Sequence, residues 1–331
     1  MRKTADAPAY GFVVIGRNEG DRLIRCVEKL RPFGAPIVYA DSGSSDGSPD
    51  TAERLGATVV RLRPDRPMNA SRGRHEGFRR LRTLLPGGNY VQFVDGDCIL
   101  DANWMEKAVS FMARNPEVAI VCGRRFEADP GASFYNRLCD QEWNTPVGFA
   151  LASGGDALMR VCALEEVDGF DPTLMASEEP ELAARLRARG WKVYRMDALM
   201  TEHDARIFSF SSYWRRSLRA GYGYVQAWRR TAGLPERINQ RLLLSALTWV
   251  VLLPLFMIGL ALLSRESYVL LLIPSAYAAQ VIRIAVARGA SDIFNWKVAL
   301  VLLACKTAEF IGAVRGVLSA GRHSAFDYKE G

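Results

Sequence analysis

Short apolar runs alternate with amphipathic stretches between residue 10 and about residue 200. Runs rich in β-branched and aromatic residues predict strands at 10–16, 36–40, 58–62, 90–94, 118–122 and 192–196. Apolar residues at helical spacing predict helices at 21–30, 71–85, 101–114 and 181–189, with Asp101 as an N-cap. This alternation predicts an α/β domain with a largely parallel sheet.

The pattern changes after residue 241. Residues 242–263 form a run of 22 residues without a charge, which is long enough as a helix to cross a hydrocarbon core of about 30 Å. Residues 268–287 form a second candidate span, and residues 298–319 a weaker third one that either crosses the membrane or lies at its surface. The chain therefore divides into a catalytic region (1–205), a basic aromatic segment (206–241) and membrane helices (242–331).

The net charge of +7 is concentrated in one segment. Between Arg206 and Arg241 there are eight arginines and one acid, Glu236, interleaved with aromatic residues such as Trp214 and Trp228. The same composition suits stacking on single-stranded nucleic acid or contact with anionic lipid headgroups. The adjacent apolar run favours lipid, so we expect membrane lipids as partners and no nucleic acid.

The six cysteines include no Cys-x-x-Cys pair, and no histidine stands beside them at metal-ligand spacing. This pattern predicts buried thiols in a reducing compartment and argues against a disulfide framework or a zinc site. Residues 1–9 are polar and lack the apolar region of a secretory signal, so no cleaved signal is expected.

Polar residues stand where the predicted strands end. Asp95-Gly96-Asp97 directly follows the run 90–94. Asp-Gly is a common turn pair, but two carboxylates at the carboxyl end of a parallel strand also suit a divalent cation that holds a diphosphate. Further polar strand ends and loops are Asn18, Glu19, Asp41, Asp156, Glu178, Glu179 and His203. Together they predict one cleft at this edge of the sheet.

These motifs, in this order, resemble the inverting glycosyltransferases of family 2, which have the GT-A fold. The resemblance covers roughly residues 10–205 and rests on Val13-Val-Ile-Gly-Arg-Asn-Glu19, Asp41-Ser-Gly-Ser-Ser-Asp-Gly-Ser48, Ala70-Ser-Arg-Gly-Arg74, Asp95-Gly-Asp97, Gly154-Gly-Asp156 and Glu178-Glu-Pro-Glu-Leu182. It implies transfer of a sugar, with inversion, from a nucleotide-diphosphate sugar to a glycan or lipid-linked hydroxyl acceptor. The implied cofactor is Mg²⁺ or Mn²⁺. The implied biosynthetic process is surface polysaccharide or glycolipid synthesis.

The resemblance also implies roles for single residues. The donor and acceptor contacts are Asn18, Glu19, Asp41, Arg72, Asp95 and Asp156, and the metal ligands are Asp97, Asp95 and His203. Within this set, Asp41 would hold the nucleobase and Asp95 the ribose or the metal. Arg72 would lie near the donor, and Asp156 on the acceptor side.

The implied catalytic base is Glu179, with Glu178 beside it. Members of the family usually carry Asp at the base position, so the sequence leaves open which glutamate reacts. The N-terminal end of the predicted helix lowers the pKa of Glu179, whereas Glu178 and burial raise it. We expect the balance to leave an ionised carboxylate near neutral pH.

Two further expectations concern location and class. The arginines before residue 242 favour a cytoplasmic catalytic region on a multi-pass protein of the inner (plasma) membrane. The alternative function is an inactive glycosyltransferase-like scaffold that binds nucleotide or glycan in a membrane assembly. A nucleotidyltransferase would carry a Gly-rich basic first loop, whereas this loop reads Gly16-Arg-Asn-Glu19.

Overall fold

The computed structural model describes residues 9–319, and their packing divides them into two compact units. The first unit holds the chain up to Phe208 together with Arg230–Arg237, and the second holds Ser209–Arg229 and the chain from Ile238 onwards. The polar segment 1–8, on which the signal expectation rests, and residues 320–331 lie outside the described residues. The three-part division expected from composition stays a prediction.

A nine-stranded sheet forms the centre of the first unit. Its strands are β1 (Tyr10–Gly16), β2 (Ile37–Asp41), β3 (Thr58–Arg61), β4 (Tyr90–Asp95), β5 (Cys98–Leu100), β6 (Val118–Glu127), β7 (Gly148–Ala150), β8 (Ala157–Arg160) and β9 (Lys192–His203). They lie in the order β3-β2-β1-β4-β8-β6-β9-β5, and β7 pairs with β9. The residues of β1, β2 and β4 are almost entirely buried, which explains their continuous apolar runs.

The sheet is mixed, which corrects the expectation of a largely parallel one. The pairs around β1 and the β6–β9 pair are parallel, but β8 lies antiparallel between β4 and β6. The short strands β5 and β7 also pair antiparallel with β9. Strands of three or four residues carry little sequence pattern of their own, because pairing with distant segments stabilises them.

Seven helices of the first unit flank the sheet. They are α1 (Asp21–Leu30), α2 (Ser48–Arg54), α3 (Ala70–Leu84), α4 (Trp104–Arg114), α5 (Phe134–Trp143), α6 (Val161–Glu166) and α7 (Glu178–Ala188). Helix α4 begins three residues later than expected, since Asp101 accepts a 2.9 Å hydrogen bond from the Asn103 N–H in a preceding turn. Helix α7 begins at Glu178, and Pro180 lies in its first turn. Proline is tolerated there because backbone N–H groups in the first turn have no helical acceptor, so its missing N–H breaks no hydrogen bond.

Helix α3 lies unusually close to the strands. A Cβ at Gly77 would stand 2.5 Å from Val13 Cγ1, and one at Gly73 would stand 3.3 Å from Ile15 Cγ2. Both glycines therefore permit a close approach of the helix to β1. The approach buries the first turns of α3, including the Arg74 side chain, at the carboxyl end of the sheet.

The second unit is helical. Its helices are α8 (Phe210–Arg230), α9 (Gln240–Ser264), α10 (Ser267–Arg288) and α11 (Ile293–Leu318). Within residues 9–319, α9 and α10 are the two helices that are long and apolar enough to cross a membrane. Helix α11, which contains most of the expected third span, carries Lys306 and Glu309 as an ion pair at 2.7 Å. Whether α11 crosses the membrane stays a prediction.

Glycines allow α8 and α11 to touch along their backbones. A Cβ at Gly221 of α8 would collide with the backbone of Glu309, and a Cβ at Gly312 of α11 would collide with the carbonyl of Leu218. Small residues at such crossings let two helices approach closely in membrane proteins. We infer that this contact fixes the packing of the second unit.

We expect Gly312→Ala to destabilise the second unit, because the added methyl group meets backbone that cannot rotate away. The matched control is Gly259→Ala in α9, where a Cβ has nothing within 4 Å. That control should be neutral or stabilising by about 0.5–1 kcal/mol, since alanine favours helix more than glycine does. Thermal unfolding of the full chain in detergent compares the two, and equal midpoints would contradict the assigned contact.

Candidate active site

Three neighbouring strands end together at one edge of the sheet. In the parallel register, Gly16 of β1 pairs with Asp41 of β2, and Ile15 of β1 pairs with Asp95 of β4. Asp41 and Asp95 therefore flank the end of β1, and Asp97 follows two residues later. The carboxyl end of adjoining parallel strands is where open α/β sheets bind ligands.

The Arg74 side chain lies among the acidic residues at this edge. Its guanidinium donates to Glu178 Oε1 at 2.7 Å and to Asp95 Oδ1 at 2.8 Å, and it lies 3.5 Å from Glu179 Oε1. The side chain is 3% exposed, so a missing partner would leave a buried charge. Arg74 thus ties the end of β4 to the start of α7.

A second arginine holds the other side of Asp95. Arg125 of β6 donates to Asp95 Oδ2 at 3.2 Å and stands 3.6 Å from Asp156 Oδ2. The fully buried Asp156 carboxylate also accepts from the Asp95 N–H at 2.8 Å and from the Thr201 hydroxyl at 2.7 Å. Asp156 therefore fixes the backbone of Asp95, and the acceptor-side role implied by the resemblance stays a prediction.

Gly155 lies directly over this cluster. A Cβ at Gly155 would collide with Arg74 Nη2 and stand 2.8 Å from Asp95 Oδ2. Any side chain here would displace the Arg74–Asp95 ion pair, and glycine lets the backbone pass against it. The sequence showed Gly154-Gly155-Asp156, and the structure supplies the reason for the second glycine.

Asp97 and His203 form a second pair beside the first cluster. His203 Nε2 stands 3.4 Å from Asp97 Oδ1, and its Nδ1 faces Glu127 Oε2 at 3.9 Å. Burial opposes ionisation of Asp97, but His203, and then Arg125 and Arg22, hold its pKa well below the usual range. Burial and Arg125 act to lower the pKa of His203, yet Asp97 and Glu127 raise it above its ordinary value.

Glu178 and Glu179 open helix α7 and differ in their partners. Glu178 pairs directly with Arg74, whereas Glu179 keeps only the longer 3.5 Å contact and is 17% exposed. Burial, and then the charge of Glu178, raise the pKa of Glu179 to about 7. The influences that raise this pKa therefore outweigh those that lower it, and the expectation of an ionised carboxylate near neutral pH stays a prediction.

The loops after β1 and β2 bind each other. The Asn18 N–H donates to Ser44 Oγ at 2.9 Å, and Asn18 Oδ1 accepts from the Ser45 N–H at 2.8 Å. The Asp41 carboxylate accepts from Tyr39 and from the N–H groups of its own loop, including Gly43 at 3.0 Å. Asp41 therefore shapes the loop in which it was expected to hold a nucleobase.

Glu19 and Arg72, which were also expected to contact the donor, do not touch the acidic cluster directly. Glu19 pairs with Arg22 at 2.5 Å, and Arg22 reaches Asp97 at 3.9 Å, so Glu19 is linked to the site through one residue. Arg72 points away from the cluster and donates to the carbonyls of Arg63 and Arg66 at 2.9 Å each. Arg74, and not Arg72, is the arginine of this helix that enters the cluster, and the expected donor contact of Arg72 stays a prediction.

Sequence reasoning missed Arg74 and Glu127 as site residues. A signal for Arg74 was present, because helical spacing places it on one face with Ala70 and Phe78. No comparable signal marked Glu127, whose place beside His203 depends on the parallel pairing of β6 with β9.

The comparisons with known proteins identify the family. Residues 12–221 match glycosyl transferase family 2, which is well over half of the chain. The chain belongs to this family, and the expected glycosyltransferase class is confirmed.

Relatives and solved structures agree with this class. The chain is 25% identical over 231 residues to the succinoglycan biosynthesis protein ExoA of Rhizobium meliloti (strain 1021), covering 63% of this chain and 66% of that protein. It is 21% identical over 261 residues to glycosyltransferase AglE of Haloferax volcanii, covering 75% and 82% of the two chains. The mannosyltransferase PcManGT of Pyrobaculum calidifontis, solved with GDP-Man and Mn²⁺, aligns over 95% of this chain and 88% of its own with a TM-score of 0.61 at 16% identity. The expected GT-A fold is thereby confirmed.

We expect Arg74→Met to destabilise the first unit by about 3–5 kcal/mol, because it leaves Glu178 buried without its cation and removes one of the two arginines that hold Asp95. Arg61→Met is the matched control. Arg61 also pairs with two acids, Asp50 and Glu53, but is 50% exposed, so its loss should cost no more than about 1 kcal/mol. Denaturant unfolding of both variants measures the difference, and similar losses would contradict the buried network.

Proposed function

We propose that this chain transfers a sugar from a nucleotide-diphosphate sugar to a hydroxyl of a glycan or lipid-linked acceptor, with inversion at the anomeric carbon. The proposed setting is surface polysaccharide or glycolipid synthesis. Family membership, and the name of the ExoA relative, support this proposal. The observation that carries it is the pair Glu178 and Glu179 at the start of α7, where Arg74 holds Glu178 at 2.7 Å and stands 3.5 Å from Glu179.

Glu179 acts as the general base in this proposal. A base works best when its pKa lies near the operating pH, and burial beside Glu178 provides that value. The ionised Glu179 takes the proton of the acceptor hydroxyl as its oxygen attacks the anomeric carbon. The bond to the nucleotide diphosphate breaks on the opposite face, which inverts the configuration.

The remaining residues bind and position the reactants. Arg74 holds Glu178 in an ion pair, so Glu178 stays engaged while Glu179 exchanges its proton. Arg125 presents a cation at the end of β6, close to Asp95, where a departing diphosphate would gain negative charge.

The donor atoms present fit a divalent cation. Asp97 offers a carboxylate that is 22% exposed, and the imidazole of His203 stands beside it. Both Asp95 oxygens already accept from arginine, so Asp95 is a weaker candidate ligand than Asp97. One nitrogen among oxygen donors suits Mn²⁺ better than Mg²⁺. When bound, the cation supplies Lewis-acid stabilisation of the diphosphate, and the Mn²⁺ of PcManGT supports this choice.

We further propose that α9 and α10 span the inner membrane and hold the catalytic region in the cytoplasm. Only 6% of the apolar stretch of α9 and 11% of that of α10 is buried, whereas the core helix of a soluble protein would be mostly buried. The arginines before residue 242 support a cytoplasmic position for the segment that precedes α9.

We expect Glu179→Gln to reduce turnover about 100-fold or more while nucleotide binding stays near normal, because the substitution keeps the shape and removes the base. Turnover of the unaltered protein should rise with pH through about 7, as Glu179 ionises, and then level off. Glu106→Gln, at an exposed position of α4, is the control without this effect. If Glu178→Gln lost turnover and Glu179→Gln kept it, the base would be Glu178. Full activity in both variants would refute the mechanism.

Asp97→Ala should weaken binding of a nucleoside diphosphate in the presence of Mn²⁺ by at least about tenfold, since the cation loses a ligand. Chelation of the unaltered protein should give the same result. Asp101→Ala, four residues along the chain, is the control. Calorimetric titration with and without Mn²⁺ measures the effect, and cation-independent binding would remove the metal assignment.

The exposed Cys162 offers a test of topology. Of the six cysteines it alone is exposed, and it lies in the catalytic unit. A membrane-impermeant maleimide should label it only after the cells are permeabilised. The Cys162→Ser variant gives the background, and labelling of intact spheroplasts would place the catalytic region outside.

A further inference from the structure

Strand pairing brings a thiol to the Asp97–His203 pair. Strands β5 and β9 are antiparallel, and Cys98 is the direct cross-strand partner of His203. The Cys98 sulfur stands 3.8 Å from Asp97 Oδ1, and His203 Nε2 stands 3.4 Å from the same oxygen. The three potential donor atoms all lie within 4.8 Å of one another.

The two distances to Asp97 Oδ1 are close to the edges of a small coordination tetrahedron. Zinc binds sulfur at about 2.3 Å and nitrogen or oxygen at about 2.0–2.2 Å in a tetrahedron, which places neighbouring ligand atoms about 3.3–3.7 Å apart. The distances of 3.8 Å and 3.4 Å to Asp97 Oδ1 lie at or just above that range. The Asp97 side chain is 22% exposed, which gives a cation a path to the site.

Other acids near Cys98 are already engaged. Asp95 and Asp156 also lie within reach of its sulfur. However, Asp95 accepts from two arginines, and Asp156 accepts from the Asp95 N–H and from Thr201. Asp97, Cys98 and His203 are therefore the set whose donor atoms face one another.

We propose that Asp97, Cys98 and His203 form a binding site for a thiophilic divalent cation, namely Zn²⁺. The Cys98 thiol gives its proton to solvent on binding, and the fourth position stays open. Asp97 and His203 also belong to the site proposed for Mn²⁺, so the two cations exclude each other. Free zinc would then control how much of the protein can take up Mn²⁺, a property beyond the transfer reaction itself.

Cobalt serves as the spectroscopic probe, because Co²⁺ occupies the same kinds of N, O and S sites as Zn²⁺. The full chain in detergent should show a thiolate-to-cobalt charge-transfer band in the near ultraviolet. Cys98→Ser should lose the band, whereas Cys122→Ser, another buried cysteine outside the cluster, should keep it. Absence of the band in the unaltered protein, or its persistence in Cys98→Ser, would overturn the proposal.

Competition between cations tests the shared ligands. Zn²⁺ should displace bound Mn²⁺, and the electron paramagnetic resonance signal of Mn²⁺ measures this displacement. The Cys98→Ser variant should require at least about tenfold more Zn²⁺ for the same displacement. Equal displacement from both proteins would show that sulfur is not a ligand. If Cys98→Ser fails to fold, the cobalt spectrum of the unaltered protein decides alone. Neither measurement uses donor or acceptor, so the result is separate from that of the proposed function.

Discussion

The ion pairs of Arg74 hold the catalytic region together. A buried guanidinium is tolerated only when it is paired, and Arg74 finds Asp95 at the end of β4 and Glu178 at the start of α7. Helix α3, which carries Arg74, is therefore linked through one side chain to a central strand and to the helix of the proposed base. Gly77 permits this by letting α3 lie against β1, and Gly155 permits it by leaving room above the pair.

The same arginine gives the two adjacent glutamates different electrostatic environments. Glu178 gains a direct cation, whereas Glu179 is left with burial and the negative charge of its neighbour, which together raise its pKa to about 7. Two carboxylates in different environments are how active sites commonly divide acid and base roles. The long contact between Arg74 and Glu179 limits the rise, because the cation still favours the charged form.

Antiparallel pairing of β5 with β9 brings a sulfur ligand into the site. It places His203 opposite Cys98 and beside Asp97, although the histidine stands far from both in the sequence. Spacing along the chain argued against zinc, because no Cys and His occur at ligand spacing. The proposed zinc site depends on a cross-strand neighbour, which linear spacing cannot represent. One cluster thus combines hard oxygen donors with a soft sulfur donor.

The sequence by itself determined the α/β class, the first strands and helices, and the carboxylates at strand ends. Those features follow from local periodicity and from the rule that parallel strands present their carboxyl ends to ligands. The tertiary structure decided that Arg74 enters the acidic cluster and that β8 runs antiparallel through the sheet. It also decided that Glu179 has a pKa near 7. These outcomes depend on burial and on charges contributed by distant segments, and local sequence carries no record of either.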